Sequence, residues 1–156
     1  MEAVQELDLP GCILDPGCDY LFGVGHRGAG IEGPDNTLLG ISMAESFGMD
    51  VVEVDIRPTA DGVLVLMHDS DIGRTTNGSG LVSDLLLEEL QAFVVLGGEE
   101  FPDQPVPTFI DALEALPEDM MVNVDAKTDR WDLIHADLVA SGKVGSAWVQ
   151  TSSLAE

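Results

Sequence analysis

The chain alternates short apolar runs with amphipathic stretches, and this alternation sets its elements. Residues 20–25 form a first apolar run, read as a strand, and Gly28, Gly30, Gly33 and Pro34 then break the pattern. Asn36 can cap a helix over 37–47, where Leu38, Ile41 and Ala44, with Leu39 and Phe47, make an apolar stripe. Gly48 stands where a helix end favours the left-handed conformation. A second strand is predicted over 51–56, a turn at Ala60-Asp61-Gly62 and a third strand over 63–68. Residues 70–80 are polar and lack a helical period, 84–93 read as a helix, and the proline-rich stretch 97–107 reads as loop. Thr108 and Asp111 resemble a capping box opening a helix over 109–116. A fourth strand follows over 120–127, a helix over 130–141 capped by Asp129 and stopped by Gly142, and a fifth strand over 146–151. Met1 to Asp19 sustain no period and are expected to extend outside the core, leaving one domain over 20–156. Strands alternating with helices predict a parallel α/β sheet.

Several costly polar residues interrupt or end these apolar runs. His26 and Arg27 end the first, Glu53 and Asp55 sit inside the second, and His68 ends the third. On a strand of period two, Glu53 and Asp55 share one face while Val52, Val54 and Ile56 share the other. Two carboxylates side by side on a valine-rich strand repel and resist desolvation unless a cation or a proton compensates. In the fourth strand Asn123, Asp125 and Lys127 share a face, opposite Val122, Val124 and Ala126. Alone, Asp125 reads as one more solvated acid. With Glu53 and Asp55 it offers three hard oxygen ligands, suited to Mg²⁺, Ca²⁺ or Mn²⁺ rather than zinc. His26 and His68 can divide general-base and general-acid roles around one reacting centre. Arg27 and Lys127 either supply fixed charge for a phosphate or neutralise the neighbouring acids. His135, mid-helix, reads as surface or packing. Gly28-x-Gly30 followed by Gly33 fails the spacing of a dinucleotide-binding loop. Functional groups at the carboxyl ends of successive strands point to a barrel of the triosephosphate isomerase type.

Composition narrows the partners. The 156 residues carry 29 acidic against 6 basic side chains, a formal charge of −23. Such a surface repels nucleic acid and anionic membranes, so an anionic substrate needs a local concentration of cations. No apolar run approaches the ~20 residues of a membrane-spanning helix. The N-terminus lacks the basic start and apolar core of a signal peptide, so a cytoplasmic location is expected. Cys12 and Cys18, the two cysteines, are accordingly expected to be free thiols.

His26-Arg27-Gly28, Pro34-Asp35-Asn36-Thr37, Glu53-x-Asp55, Asp61-Gly62, His68-Asp69 and Arg74-Thr75-Thr76 together resemble the N-terminal signature of the glycerophosphodiester phosphodiesterase family. The resemblance runs from about Phe22 to Lys127, and more weakly to Ser152. It implies a (β/α)₈ barrel that hydrolyses glycerophosphodiesters to glycerol 3-phosphate and an alcohol with Mg²⁺ or Ca²⁺. It implies His26 and His68 as the acid–base pair, Glu53, Asp55 and Asp125 as metal ligands, and Arg27 as phosphate-binding. The family's usual Glu-x-Lys is Asp125-Ala126-Lys127 here, one methylene shorter, and its Pro-Glu-Asn-Thr is Pro-Asp-Asn-Thr. A barrel of this kind takes ~250 residues, so a partial barrel truncated near the fifth strand is expected. Its open edges would favour self-association. The alternative function is a non-catalytic metal-binding or interaction module.

Overall fold

The structure, a computed structural model, describes residues 8–151. The rest of the predicted extension, residues 1–7, and the end of the predicted domain, 152–156, lie outside the described residues. Helix α1 (Leu9–Leu14) starts at Asp8, whose side chain accepts from the Gly11 N–H, and buries none of its residues. Cys12 and Cys18 form a disulfide with Cα atoms 5.4 Å apart, which corrects the expectation of free thiols. A turn at Asp15 folds the segment back: Asp15 N–H donates to Cys12 and Cys18 N–H donates to Asp15, bringing the two side chains within bonding reach.

The sheet carries strands β1 (Val24–Gly25), β2 (Val51–Pro58), β6 (Met121–Ala126) and β7 (Ala147–Gln150), parallel and in that order. Strand β1 keeps only two of its six predicted residues. The third predicted strand forms as β3 (Leu64–Leu66), but it runs antiparallel to β2 and off the main order. The reason is the short turn at 59–62, where the Thr59 hydroxyl bonds both Asp61 and the Val63 backbone. A turn of that length can only return the chain beside itself.

Helices α2 (Leu38–Ser46), α4 (Phe109–Ala115) and α5 (Trp131–Ala140) cover one face of the parallel strands. Ile41, Ala44, Phe109, Leu113, Ile134 and Leu138 meet Val52, Val54, Ile56, Val122 and Val124 there, so the predicted apolar faces of β2 and β6 are the buried ones. Thr108 and Asp111 make the predicted capping box. Two predicted caps are corrected. Thr37, not Asn36, caps α2, because Asn36 is turned to a positive φ of 54° with its amide used elsewhere. Arg130, not Asp129, precedes α5, and its guanidinium forks onto Asp132 instead of capping.

The predicted helix over 84–93 shrinks to α3 (Leu87–Leu90). Its end is drawn into β4 (Val94–Val95), which pairs with β5 (Gln104–Pro105) inside the stretch predicted as loop. A second small core forms under this insertion from Val65, Met67, Ile72, Val82, Leu90, Val95 and Val106. Among the described residues no helix is long and apolar enough to cross a membrane.

Candidate active site

The helix-free face of the sheet carries the polar residues. Glu53 and Asp55 project from β2, and register pairs them with Asn123 and Asp125 on β6. Glu53 and Asp55 are 6% and 1% exposed, and each of Glu53, Asp55 and Asp125 offers one oxygen within 4.8 Å of the others. The predicted carboxylate trio is therefore brought together.

The three acids are compensated unequally. Lys127 Nζ lies 2.6 Å from Asp125 Oδ2 and 3.2 Å from Asp55 Oδ1. Burial lowers the lysine's pKa, but hydrogen bonds to Asp125 and Asp55 outweigh that and hold it above the usual value. Asn36 grips Asp55 twice, its Nδ2 donating to Oδ2 at 2.9 Å and its Oδ1 accepting from the Asp55 N–H at 3.0 Å. Among the described residues Glu53 receives the Arg27 N–H alone, at 2.8 Å, with His26 Nε2 at 3.9 Å. Burial pushes the Glu53 carboxyl above its ordinary range against that bond, with Asp55 and Asp125 adding to the rise. Three hard oxygen donors, one of them buried and under-compensated, fit a divalent cation of the Mg²⁺ or Ca²⁺ kind.

The histidines arrive from two loops. His26 follows β1 and is two-thirds exposed. Tight packing makes its loop: a Cβ on Gly28, at φ 103°, would sit 2.8 Å from the Gly40 backbone of α2. Arg27 is held at a positive φ of 55°, so that its N–H reaches Glu53 while its side chain pairs with Asp35 at 3.0 Å and approaches Asp55 at 3.4 Å. Strained non-glycine residues of this kind collect at functional sites; Arg27 and Asn36 are the two among the described residues.

His68 is delivered by the β2–β3 hairpin. The Met67 N–H donates to the Asp55 carbonyl, so the antiparallel return of β3 sets His68 beside the acids. Arg57 Nε and Nη2 then donate to the His68 carbonyl at 3.0 and 2.9 Å. Burial lowers the Arg57 pKa, and Asp55 and Asp69 oppose this. An open cleft of about 720 Å³ follows, lined by Arg57, His68, Asp69, Ser70, Asp71, Arg74 and Lys127. His135 is exposed on α5, away from this site.

Arg57, Asn36, Asp69 and Arg74 complete the setting without having been assigned to it from sequence. Period two from Glu53 and Asp55 already put Arg57 on their face. The grip of Asn36 on Asp55 spans 19 positions and leaves no local signal. Arg27, Arg57, Arg74 and Lys127 are four of the six basic residues in the chain, so the scarce positive charge is concentrated here.

An open sheet with helices on one face, and acids, histidines and cations gathered on the other, defines a barrel-type α/β protein with a charged cluster at its helix-free face. The chain belongs to the glycerophosphoryl diester phosphodiesterase family, whose model matches residues 26–144. That span contains all seven predicted site residues. Mouse glycerophosphodiester phosphodiesterase 1 is 37% identical over 128 residues, covering 79% of this chain and 37% of that protein. A glycerophosphodiester phosphodiesterase of Caldanaerobacter subterraneus subsp. tengcongensis is 36% identical over 108 residues, covering 67% of this chain and 44% of the other. The chain thus spans less than half the length of these curated relatives.

The crystal structure of glycerophosphodiester phosphodiesterase from Agrobacterium tumefaciens superposes with a TM-score of 0.80 at 32% identity, covering 86% of this chain and 59% of that one. An Oleispira antarctica phosphodiesterase, solved with the product sn-glycerol-3-phosphate, gives 0.72 at 27% identity, with 84% and 57% covered. The open sheet matches part of the barrel of these solved relatives; among the described residues it does not close.

Proposed function

We propose that the protein carrying this chain hydrolyses glycerophosphodiesters to glycerol 3-phosphate and an alcohol, with a divalent cation held by Glu53, Asp55 and Asp125. The observation that carries this reading is the convergence of two histidines, three carboxylates and four of the six basic residues on one sheet face of a chain with charge −23. So acidic a chain has little reason to line one cleft with Arg57, Arg74 and Lys127 and set Arg27 against Asp55 except to receive an anion. The product bound by the Oleispira antarctica relative is an anion of this class.

In the reaction the protein's own groups have separable tasks. Arg27 and Lys127 bind the phosphate and stabilise the charge that builds in the transition state. One of His26 and His68 removes a proton from the nucleophile and the other protonates the leaving alkoxide; water either attacks directly or opens the cyclic phosphate that the substrate's own neighbouring hydroxyl would form. Asn36 and Arg57 hold Asp55 and the His68 backbone in place. A bound Mg²⁺ or Ca²⁺ would supply Lewis-acid polarisation of a phosphoryl oxygen.

Hydrolysis of glycerophosphocholine, followed by release of glycerol 3-phosphate, tests the reading. Turnover that vanishes with chelator and returns with Mg²⁺ or Ca²⁺ is expected. Turnover that is indifferent to chelator would remove the cation from the reading, and absence of turnover in the full-length protein with either cation would favour a non-catalytic module.

A further inference from the structure

The Arg74-Thr75-Thr76 stretch is part of the pattern shared with the family, yet nothing so far gives Arg74 a task. Its guanidinium lies between two acids from different loops. Nε donates to Asp69 Oδ2, and Nη1 stands 3.7 Å from Asp35 Oδ2. The same Asp35 oxygen accepts from Arg27 Nη1 at 3.0 Å. The other oxygen of Asp69 lies 2.7 Å from His68 Nδ1. A continuous chain of charged partners therefore runs from Arg27 through Asp35, Arg74 and Asp69 to His68. It joins the loop after β1 to the loop after β3, and Arg57 separately holds the His68 carbonyl.

Arg74, and then His68, hold the Asp69 carboxyl below its usual range. An ionised carboxylate only accepts hydrogen bonds, so the hydrogen between Asp69 and His68 belongs to Nδ1. In a neutral ring that leaves Nε2 as the free acceptor, because the partner of one ring nitrogen decides the state of the other. Arg74 prevents Asp69 from swinging to solvent by engaging its second oxygen. Its own side chain is half exposed, so a purely packing role is a poor account of its place.

We propose that Asp69 and Arg74 are positioning residues that fix His68 as the Nδ1–H tautomer and register its loop against the loop of Arg27. The proposal deepens the hydrolase reading by giving the neutral His68 ring one tautomer, and it rests on that reading only for its purpose. Its geometry can be tested without turnover, so failure of one does not entail failure of the other.

Long-range ¹H–¹⁵N correlation spectra of the 156-residue chain, recorded where the rings are neutral, report the tautomer of each of the three histidines. His68→Asn identifies the His68 signals by their loss. The expected result is Nδ1–H at His68, and in Asp69→Ala a shift to Nε2–H or to a mixture, with His135 unchanged. Arg74→Gln should give a mixture, and Arg74→Lys a smaller change, since lysine keeps the charge but not the fork. Arg74→Gln, at a half-exposed position, carries the test where Asp69→Ala fails to fold. A wild-type His68 in the Nε2–H form overturns the proposal. So does a His68 whose tautomer is the same in Arg74→Gln as in the wild type.

Discussion

At the scale of single residues, the site sets groups of different replaceability side by side. His26 and His68 are not needed to assemble the carboxylate trio, which β2 and β6 provide through their register. In the full-length protein His26→Ala and His68→Ala are therefore each expected to reduce glycerophosphocholine hydrolysis by ~10²–10⁴-fold while leaving metal binding nearly unchanged. Either variant keeping more than about a tenth of the activity would remove that histidine from acid–base duty. Glu53→Gln and Asp55→Asn should do the reverse, abolishing Mg²⁺ or Ca²⁺ binding by calorimetry while circular dichroism still reports a folded chain. Glu53 is the clearer case, since burial already opposes its charge and a neutral amide removes that cost. Unchanged affinity in both variants would place the cation elsewhere. His26, His68, Glu53 and Asp55 stand out in the sequence because polar side chains inside or at the ends of apolar strands need an explanation. Asn36 does not, because its partner lies in another element and its sequence context is that of a helix cap.

At the scale of elements, the hydrophobic period located most strands and helices but not how they pair. Strand β3 has the same alternation whether it runs parallel or antiparallel; only the turn chemistry at Thr59, Asp61 and Gly62 distinguishes them. The stretch from residue 70 through β5 shows only loop and helix signals in the sequence, because its small core draws on residues scattered from Val65 to Val106. The loop between β1 and α2 is where element packing and site geometry meet. Gly28 takes a φ of 103° and faces the Gly40 backbone with no room for a Cβ. Gly28→Ala should thus destabilise the chain by more than the ~0.4–1 kcal/mol that the same change gains at a compatible position, measured by urea unfolding. It should also weaken catalysis by displacing His26 and Arg27. A variant as stable as the wild type would show that the loop and α2 separate more easily than their contact implies.

At the scale of the molecule, two features act against each other. The net charge of −23 keeps copies of the chain apart, whereas the sheet ends, among the described residues, in β1 on one side and β7 on the other. Backbone groups on such edges are templates for pairing with another chain. The side of the sheet away from the helices adds Trp148 and Gln150, which stand in register with Asn123 and Asp125. In the relatives the matched region is part of a longer chain. Purified as the 156-residue chain, the protein is therefore expected to self-associate, and to do so more strongly as salt is raised, because screening weakens the charge repulsion while leaving edge pairing intact. Light scattering at low and high ionic strength measures both statements. A monomer at every salt concentration would mean that the acidic surface outweighs the open edges, and a dimer that dissociates as salt is added would mean that charge pairs, not strand edges, hold the copies together.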